Sequence, residues 1–112
     1  MKIVNPNDLE IKQTPHGVDV RMLYDKETAQ AVQITLKPGE ALKPHITPVD
    51  VFFFILEGTP HVMVGNEKTR VQSNCLVESP KDIVHCLYNE SDKPARILVV
   101  KAPKPQSAAR LL

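Results

Sequence analysis

The 112-residue sequence has no tryptophan, only two cysteines and four glycines, and a formal net charge of just +1. Two cysteines are too few for a disulfide scaffold, so we expect two free, buried thiols in a cytoplasmic protein. The near balance of 14 basic and 13 acidic side chains gives no electrostatic footprint for nucleic-acid binding. A chain of this length forms one domain and buries enough surface to fold without a metal or disulfides.

Long apolar runs are also missing. No stretch approaches the roughly 18 consecutive apolar residues of a transmembrane helix. The first residues, MKIVNPNDLEIK, turn polar early and lack the apolar core of a signal peptide. We therefore expect neither a membrane-spanning segment nor a membrane partner.

Charge is spread unevenly along the chain. Residues 93–112 carry five basic and no acidic side chains, whereas residues 1–92 carry nine basic and thirteen acidic ones. The last ten residues, PKPQSAARLL, contain two prolines and several small residues. We expect a single domain over residues 1–102 and a flexible basic tail over residues 103–112, too sparsely charged to be a nucleic-acid arm.

The sequence contains ten prolines, and several of its segments alternate between apolar and polar residues. Apolar and polar residues alternate from Val18 to Tyr24 and again from Val32 to Leu36, which is typical of half-buried strands. Turn signals such as Gly65-Asn66 separate further short apolar segments at 51–56, 61–64, 69–72, 75–79, 83–88 and 95–101. About eight short strands at regular spacing predict an all-β sandwich or barrel.

Two of these predicted strands are apolar on both faces. They are Val51–Leu56, which contains three of the five aromatic residues, and Ile83–Tyr88. Such a strand lies between two layers or lends its outer face to a partner subunit. We expect a homodimer that packs through the outer face of one sheet.

Two histidines, His45 and His85, are placed where chemistry is plausible. His45 precedes the aromatic strand, and His85 shares one strand face with Ile83 and Leu87. A buried imidazole without a partner costs roughly 1–3 kcal/mol, so each ring needs a hydrogen bond or a metal. The residues alone leave both alternatives open.

Other candidate residues have structural interpretations. The parity of its strand turns His61 outward as a surface or interface residue, and His16 lies in a turn where we expect exposure. Cys86 points away from the histidine beside it, which favours a buried apolar role over an activated thiolate. Lys43 and Lys81 lie in loops near the predicted barrel mouth, where they are solvated or attract an anionic ligand.

Two segments carry a family resemblance. Gly39–Gly58 resembles the first motif of the cupin superfamily: Gly, five residues, His-x-His, three or four residues, Glu, six residues, Gly. Asn74–Asn89 resembles the second: Gly, five residues, Pro-x-Gly, two residues, His, three residues, Asn. The resemblance implies a small single-domain cupin of the type-2, conserved-barrel kind, with a jelly-roll or double-stranded β-helix fold.

The departures from these motifs concern the metal site. Metal-holding cupins use the two histidines and the glutamate of the first motif with the histidine of the second. His45 and His85 match, but Thr47 replaces the second histidine and Val51 replaces the glutamate. Asn74 and Asp82 stand at glycine positions, while the motif residues that are retained include Pro80 and Asn89.

Two neutral imidazoles do not offset the charge of a divalent cation. Iron sites usually need two histidines and a carboxylate, and catalytic zinc sites three protein ligands. Asp50 adjoins the glutamate position but would need a β-bulge to turn inward. A site for iron, nickel, zinc or manganese would therefore consist of His45, His85 and Asp50.

If Val51 faces the interior, the resemblance implies an apolar pocket with two imidazoles and a hydroxyl, suited to a small organic molecule with one polar end. Its expected lining is His45, Thr47, Val51, Phe53, Ile55, His85 and Leu87, with the histidines bonded to Thr47, Asn89 or the ligand. We expect a small-molecule-binding cupin. The alternatives are a metal-dependent dioxygenase, isomerase or lyase using His45, His85 and a nonstandard third ligand, or a structural or regulatory dimer without a ligand.

Overall fold

A computed structural model of the chain describes residues 1–112 as two facing antiparallel sheets. A 3₁₀ turn at Pro6–Asp8 precedes ten strands: β1 Asp19–Lys26, β2 Ala29–Leu36, β3 His45–Ile46, β4 Asp50–Glu57, β5 His61–Val64, β6 Glu67–Arg70, β7 Leu76–Ser79, β8 Val84–Tyr88, β9 Ala95–Ala102 and β10 Arg110–Leu111. The strand orders are β1-β2-β9-β4-β7 and β10-β3-β8-β5-β6. The chain crosses between the sheets repeatedly from β3 to β9, as in a jelly roll. The predicted all-β jelly roll is confirmed.

No helix has the length and apolar character needed to cross a bilayer.

Strand alternation builds the core between the sheets. In β4, Val51, Phe53 and Ile55 are buried, whereas Phe52 and Phe54 face outward and are half-buried. The same period places alternate residues of β9 inside. In β2 the expected inward residues Ile34 and Leu36 are buried, but Gln33, expected to face outward, is buried as well. In β1 the alternation ends at a bulge after Met22, beyond which the strand is exposed.

The start of β8 differs from the prediction. The strand begins at Val84, and Ile83 precedes it in a turn with 39% of its surface exposed. Ile83 therefore does not flank His85 inside the barrel, because the backbone of Asp82 has turned to a φ of +65°. A second correction concerns Cys75, which is exposed; Cys86 is buried as expected.

At two positions where the second cupin motif has glycine, this chain has other residues but keeps the backbone conformation typical of glycine. Asn74 and Asp82 have φ values of +67° and +65°. Asparagine and aspartate tolerate this left-handed region better than other side-chain-bearing residues. Gly58, in contrast, could not be replaced by a residue with a side chain. Its φ is +82°, and a Cβ would lie 2.6 Å from the carbonyl oxygen of Pro94. The substitutions at 74 and 82 therefore leave the turns of the motif intact.

The C-terminal segment runs back over the barrel. Lys104 forms a 3.0 Å ion pair with Asp25 at the end of β1. Leu111 of β10 then lies opposite His45 of β3, so the last strand covers the outer edge of that sheet. The flexibility of residues 103–112 stays a prediction, but the segment ends beside a strand that carries a candidate site residue.

Candidate functional site

His45 and His85 come from neighbouring strands and face the same interior space. β3 and β8 place them directly opposite each other in register. Only 8% and 2% of their surfaces are exposed, and their Nε2 atoms are 3.1 Å apart. The pairing of two strands therefore brings together two residues that are 40 positions apart in the sequence.

A hydrogen-bond chain fixes the protonation of both rings. His45 Nδ1 lies 2.7 Å from the carbonyl oxygen of Lys43, which only accepts, so Nδ1 carries the proton and Nε2 presents a lone pair. His85 Nε2–H donates to that lone pair, and the hydroxyl of Ser79 donates to His85 Nδ1 at 2.6 Å. Thr47 Oγ1, 3.2 Å from His85 Nε2, accepts from the same N–H. One backbone carbonyl thus assigns the neutral tautomer of both imidazoles.

Burial keeps this pair neutral. Desolvation lowers the pKa of His85 to about 3, and positive charge on His45 and Lys101 acts in the same direction. Desolvation also lowers the pKa of His45, against a smaller opposing effect of its bond to the Lys43 carbonyl. At neutral pH the two rings are therefore hydrogen-bonding groups and not cations.

His16 belongs to the site, so the prediction that it is exposed is wrong. Its ring centroid lies 4.8 Å from that of His45, and its Nδ1 accepts from the backbone N–H of Lys43 at 2.9 Å. Partial burial lowers the pKa of His16 to about 4, aided by positive charge on His45, Lys43 and Lys101. The backbone of Lys43 thus orients both rings, because it donates to one and accepts from the other.

The three histidines line an interior cavity of about 100 Å³. Of the expected pocket residues, His45, Val51, Phe53 and His85 line it. Thr47, Ile55 and Leu87 do not; all three are buried beyond the lining. The cavity has no acidic residue in its wall. The full lining is Lys12, Thr14, His16, Val20, Val32, Ile34, Leu42, His45, Val51, Phe53, His85, Val99 and Lys101.

Lys101 was missed by sequence reasoning, although its strand carried the signal. Ala95, Ile97 and Val99 are buried on β9, and Lys101 continues the same parity into the cavity wall. It lies directly opposite Val51 in the register of β4 and β9. Burial lowers the pKa of Lys101, with a further contribution from the charge of Lys12.

The structure does not bring Asp50 to the two histidines. The register from Asp50 to Ile55 is continuous, so the bulge that would turn this carboxylate inward is absent. Asp50 is exposed and its Oδ1 accepts from the backbone N–H of Lys81 at 2.9 Å. The side chains of Lys81 and Lys43 lie outside the cavity wall, where both residues are exposed.

The remaining predicted residues have other partners. Asn89 donates to the carbonyl oxygens of Leu36 and Lys93, not to a histidine. His61, on β5, stacks on Tyr88 at a centroid distance of 4.9 Å and lies away from the cavity. Neither residue belongs to the interior site.

The side chains that could coordinate an ion in this cavity do not fit a resident transition metal. Two Nε2 atoms 3.1 Å apart could both contact one ion at the usual 2.0–2.1 Å. However, no group of three His, Cys, Asp or Glu side chains in the structure is arranged so that it could hold a metal ion, and His16, the third histidine of the wall, does not complete such a group. The charged residues of the wall are Lys12 and Lys101, which repel a cation. Iron, nickel, zinc and manganese sites ordinarily need a third protein ligand or a carboxylate. The wall has no carboxylate, and its third histidine is not placed to share an ion with His45 and His85.

The fold and the site can be compared with known proteins. The sequence profile of the cupin domain matches residues 32–101. The chain belongs to the cupin family. A protein from Thermus thermophilus is 30% identical to this cupin over 94% of the present chain and 100% of its own, with a TM-score of 0.81. None of the curated proteins matches this sequence.

More distant structures share the fold of this cupin. The polyketide cyclase RemF from Streptomyces resistomycificus has a TM-score of 0.84 at 18% identity, over 100% of this chain and 85% of its own. The DMSP lyase DddQ from Ruegeria pomeroyi has a TM-score of 0.81 at 19% identity, over 94% of this chain and 61% of its own. At these identities the likeness concerns the barrel alone.

Proposed function

We propose that this cupin binds a small organic molecule in its interior cavity, beside the neutral, internally hydrogen-bonded pair of His45 and His85. The observation that carries the proposal is the chain from Ser79 through His85 and His45 to the carbonyl of Lys43, which satisfies both buried rings without a metal. That two proteins of the same fold are a polyketide cyclase and a DMSP lyase supports a role with small organic molecules.

The cavity limits the size of the ligand. Its volume of about 100 Å³ is smaller than the roughly 150 Å³ cavity that accommodates benzene in a well-studied protein core. Apolar side chains such as Val51, Phe53 and Val99 form much of the wall. A ligand of a few carbon atoms with one polar end fills such a space.

Binding is tested with two probes of that size, butyrate and butyramide. We expect at least one of them to shift the ring resonances of His45 and His85 in a saturable NMR titration. Val99→Phe fills the cavity without removing a polar group and is expected to abolish the shifts. Because Ile11 is exposed and lies outside the cavity wall, Ile11→Phe adds similar bulk away from the cavity and serves as the matched control. If neither probe shifts these resonances in the parent protein, the proposed function is wrong.

The alternative, a metal-dependent enzyme, rests on the convergence of the two Nε2 atoms. A metal would require the His85 proton to move to Nδ1 and to be donated to Ser79 Oγ, which frees both Nε2 lone pairs. We expect protein purified without chelator to contain far less than one equivalent of iron, nickel, zinc or manganese. Elemental analysis should give the same low value for His45→Ala. Near-stoichiometric metal in the parent that is lost in the variant would favour the enzyme.

We also propose that this cupin is a homodimer formed by the outer face of the β1-β2-β9-β4-β7 sheet. Cross-strand neighbours place Phe52 beside Val100, and Phe54 beside Leu98 and Leu76, on one face. Glu78, opposite Phe52, borders this apolar patch. No α-helix covers this face, and the one 3₁₀ turn lies at its β1 edge, where the carbonyl oxygen of Pro6 accepts from Arg21. A second copy offers the same apolar surface and can pack on it about a twofold axis.

Light scattering tests the dimer directly. The expected mass is twice the 12.5 kDa of the chain at micromolar concentration. Phe54→Lys places a charge in the centre of the face and should yield monomer, because an unpaired charge in an apolar interface is costly. Tyr24→Lys, at an exposed aromatic position of the same sheet, should stay dimeric. A monomeric parent protein would contradict the proposal.

A cytoplasmic location is part of the same proposal. The exposed thiol of Cys75 has no partner, and Cys86 is buried and free. Free thiols persist in reducing compartments and tend to oxidise elsewhere. Fractionation of the source cells tests the location.

A further inference from the structure

The polar groups left unpaired around the cavity are hydrogen-bond donors. Lys101 lines the wall, and its side-chain ammonium takes part in no hydrogen bond or ion pair of the structure. His16 accepts at Nδ1 from the backbone of Lys43, so its proton lies on Nε2, which has no partner. An ammonium group and an imidazole N–H therefore remain available to a ligand.

The acceptors of the cavity are already used. The lone pair of His45 Nε2 accepts from His85, and that of His85 Nδ1 accepts from Ser79. No aspartate or glutamate lines the wall, whereas Lys12 adds a second positive charge to it. The one hydroxyl of the wall, Thr14 Oγ1, accepts from the backbone N–H of His16. A ligand that only donates would therefore find few free acceptors, and a cation would meet two like charges. The cavity is complementary to an acceptor that carries negative charge.

We propose that the ligand is a small monocarboxylate, bound through its carboxylate by the ammonium of Lys101, with its hydrocarbon end against Val51, Phe53 and Val99. His16 Nε2–H supplies a further donor to the same carboxylate. This inference rests on the proposed function and adds the chemical class of the ligand.

The register of the sheet explains why Lys101 lacks a partner of its own. Lys101 on β9 lies directly opposite Val51 on β4, and both side chains face the cavity. Directly opposed residues bring their Cβ atoms within about 5.5 Å, close enough for an ion pair. A glutamate at position 51, as in the first cupin motif, would be that partner. With valine there, the carboxylate has to come from the ligand.

Shape and charge favour a carboxylate over a phosphate. Phosphate sites usually combine several cationic or backbone N–H groups, often at a helix N-terminus or a glycine-rich loop. The wall contains no glycine and no helix, and seven of its thirteen residues are apolar. A short aliphatic acid fits these walls better than a fully charged inorganic anion.

The test uses butyrate, its uncharged isostere butyramide and inorganic phosphate, each titrated at pH 7 with the histidine and Lys101 side-chain resonances as the readout. Butyrate is expected to bind at least about tenfold more tightly than butyramide, because a hydrogen bond to a charged group contributes more than a neutral one. Lys101→Met should weaken butyrate binding by about tenfold to a hundredfold and leave butyramide unchanged. Lys101→Arg keeps the charge and should retain most of the affinity.

Two further variants separate this site from general charge effects. Lys81→Met removes an exposed lysine outside the wall and should leave butyrate binding unchanged. Val51→Glu, studied in the presence of a chelator, gives Lys101 a carboxylate of the chain and should abolish butyrate binding while thermal unfolding shows a folded protein. This variant keeps the test informative if Lys101→Met does not fold.

Each outcome bears on one proposal. If butyrate and butyramide bind the parent equally, or if Lys101→Met and Val51→Glu leave butyrate binding intact, the carboxylate assignment is wrong, although the cavity still binds small molecules. Phosphate binding tighter than butyrate would also overturn it. If neither organic probe binds, the failure is that of the proposed function itself.

Discussion

Lowering the pH from 6.5 to 4.5 should reduce the free energy of unfolding by about 2–3 kcal/mol through His85 alone. The unfolded chain takes up a proton on this residue below its ordinary pKa of 6.5, whereas burial holds the folded pKa at about 3. Unfolding in this range therefore consumes a proton, and acid favours the unfolded state. The contribution is fully present above pH 6.5 and is lost progressively as the pH falls toward 3.

The neighbours of His85 act in the same direction. Desolvation is the main cause of its shift, and positive charge on His45, Lys101 and His16 adds to it. No acidic residue lines the cavity to compensate. The pKa of His16 is also lowered, to about 4, but this ring is only partly buried, so solvent screening reduces its effect on stability. Acid therefore destabilises the cavity side of the barrel.

Urea unfolding between pH 7 and pH 4.5 measures the effect, with an unchanged m-value as evidence that the transition stays two-state. His85→Gln keeps a donor toward His45 and an acceptor toward Ser79 but cannot titrate. Its stability should be lower at pH 7 and should fall much less steeply with acid. Parallel pH profiles for the parent protein and His85→Gln would show that another group controls acid sensitivity. The His85 ring carbon resonance should not titrate above pH 4.

Most of the fold could be predicted because strand parity is a local property. The positions of Val51, Phe53 and Ile55 inside the barrel follow from alternation in β4, and the structure places all three in the core. Asp50 illustrates the same rule, since it adjoins Val51 and the continuous register leaves it outside. The sequence could not show where β8 begins, because the turn at Asp82 sets the exposure of Ile83.

The site itself was only half predictable. His45 and His85 were identified through the motifs, but His16 lies in a loop. Its approach to His45 depends on the hydrogen bond that its Nδ1 accepts from the backbone N–H of Lys43, 27 residues away. No local pattern reports such a contact. Lys101 differs, because its inward parity in β9 was visible in the sequence and a charged residue in that position indicates a buried partner or a ligand.

The hydrogen-bond partners of His45 and His85 explain why these rings bind each other and not a metal. In the absence of a third metal ligand, the buried rings still have to satisfy four nitrogen atoms. Ser79, at the end of β7, donates to one of them, and its position follows from its pairing opposite Val51. The residue that replaced the motif glutamate and the residue that supports His85 are therefore cross-strand neighbours. This link connects the loss of the carboxylate with the hydrogen-bonded histidine pair.

A second large effect on the free energy of unfolding is expected from substitution of Asn89, the asparagine of the second motif that this chain retains. Its side chain is 1% exposed and donates to the carbonyl oxygens of Leu36 at 2.9 Å and Lys93 at 2.8 Å. Its Oδ1 accepts from the backbone N–H and the hydroxyl of Ser91. Because Leu36 ends β2 in one sheet and Asn89 follows β8 in the other, this one amide joins the two sheets at the end of the barrel.

Asn89→Ala should therefore lower the free energy of unfolding by about 3–5 kcal/mol, since it removes four hydrogen bonds and leaves the buried carbonyl of Leu36 without a side-chain partner. Ser91→Ala is the matched control, because it deletes the hydroxyl but leaves both amide donations in place, and it should cost about 1 kcal/mol. Chemical denaturation of both variants at pH 7 measures the difference. Similar small losses in the two variants would show that the turn after β8, and not the link between the sheets, is what Asn89 stabilises.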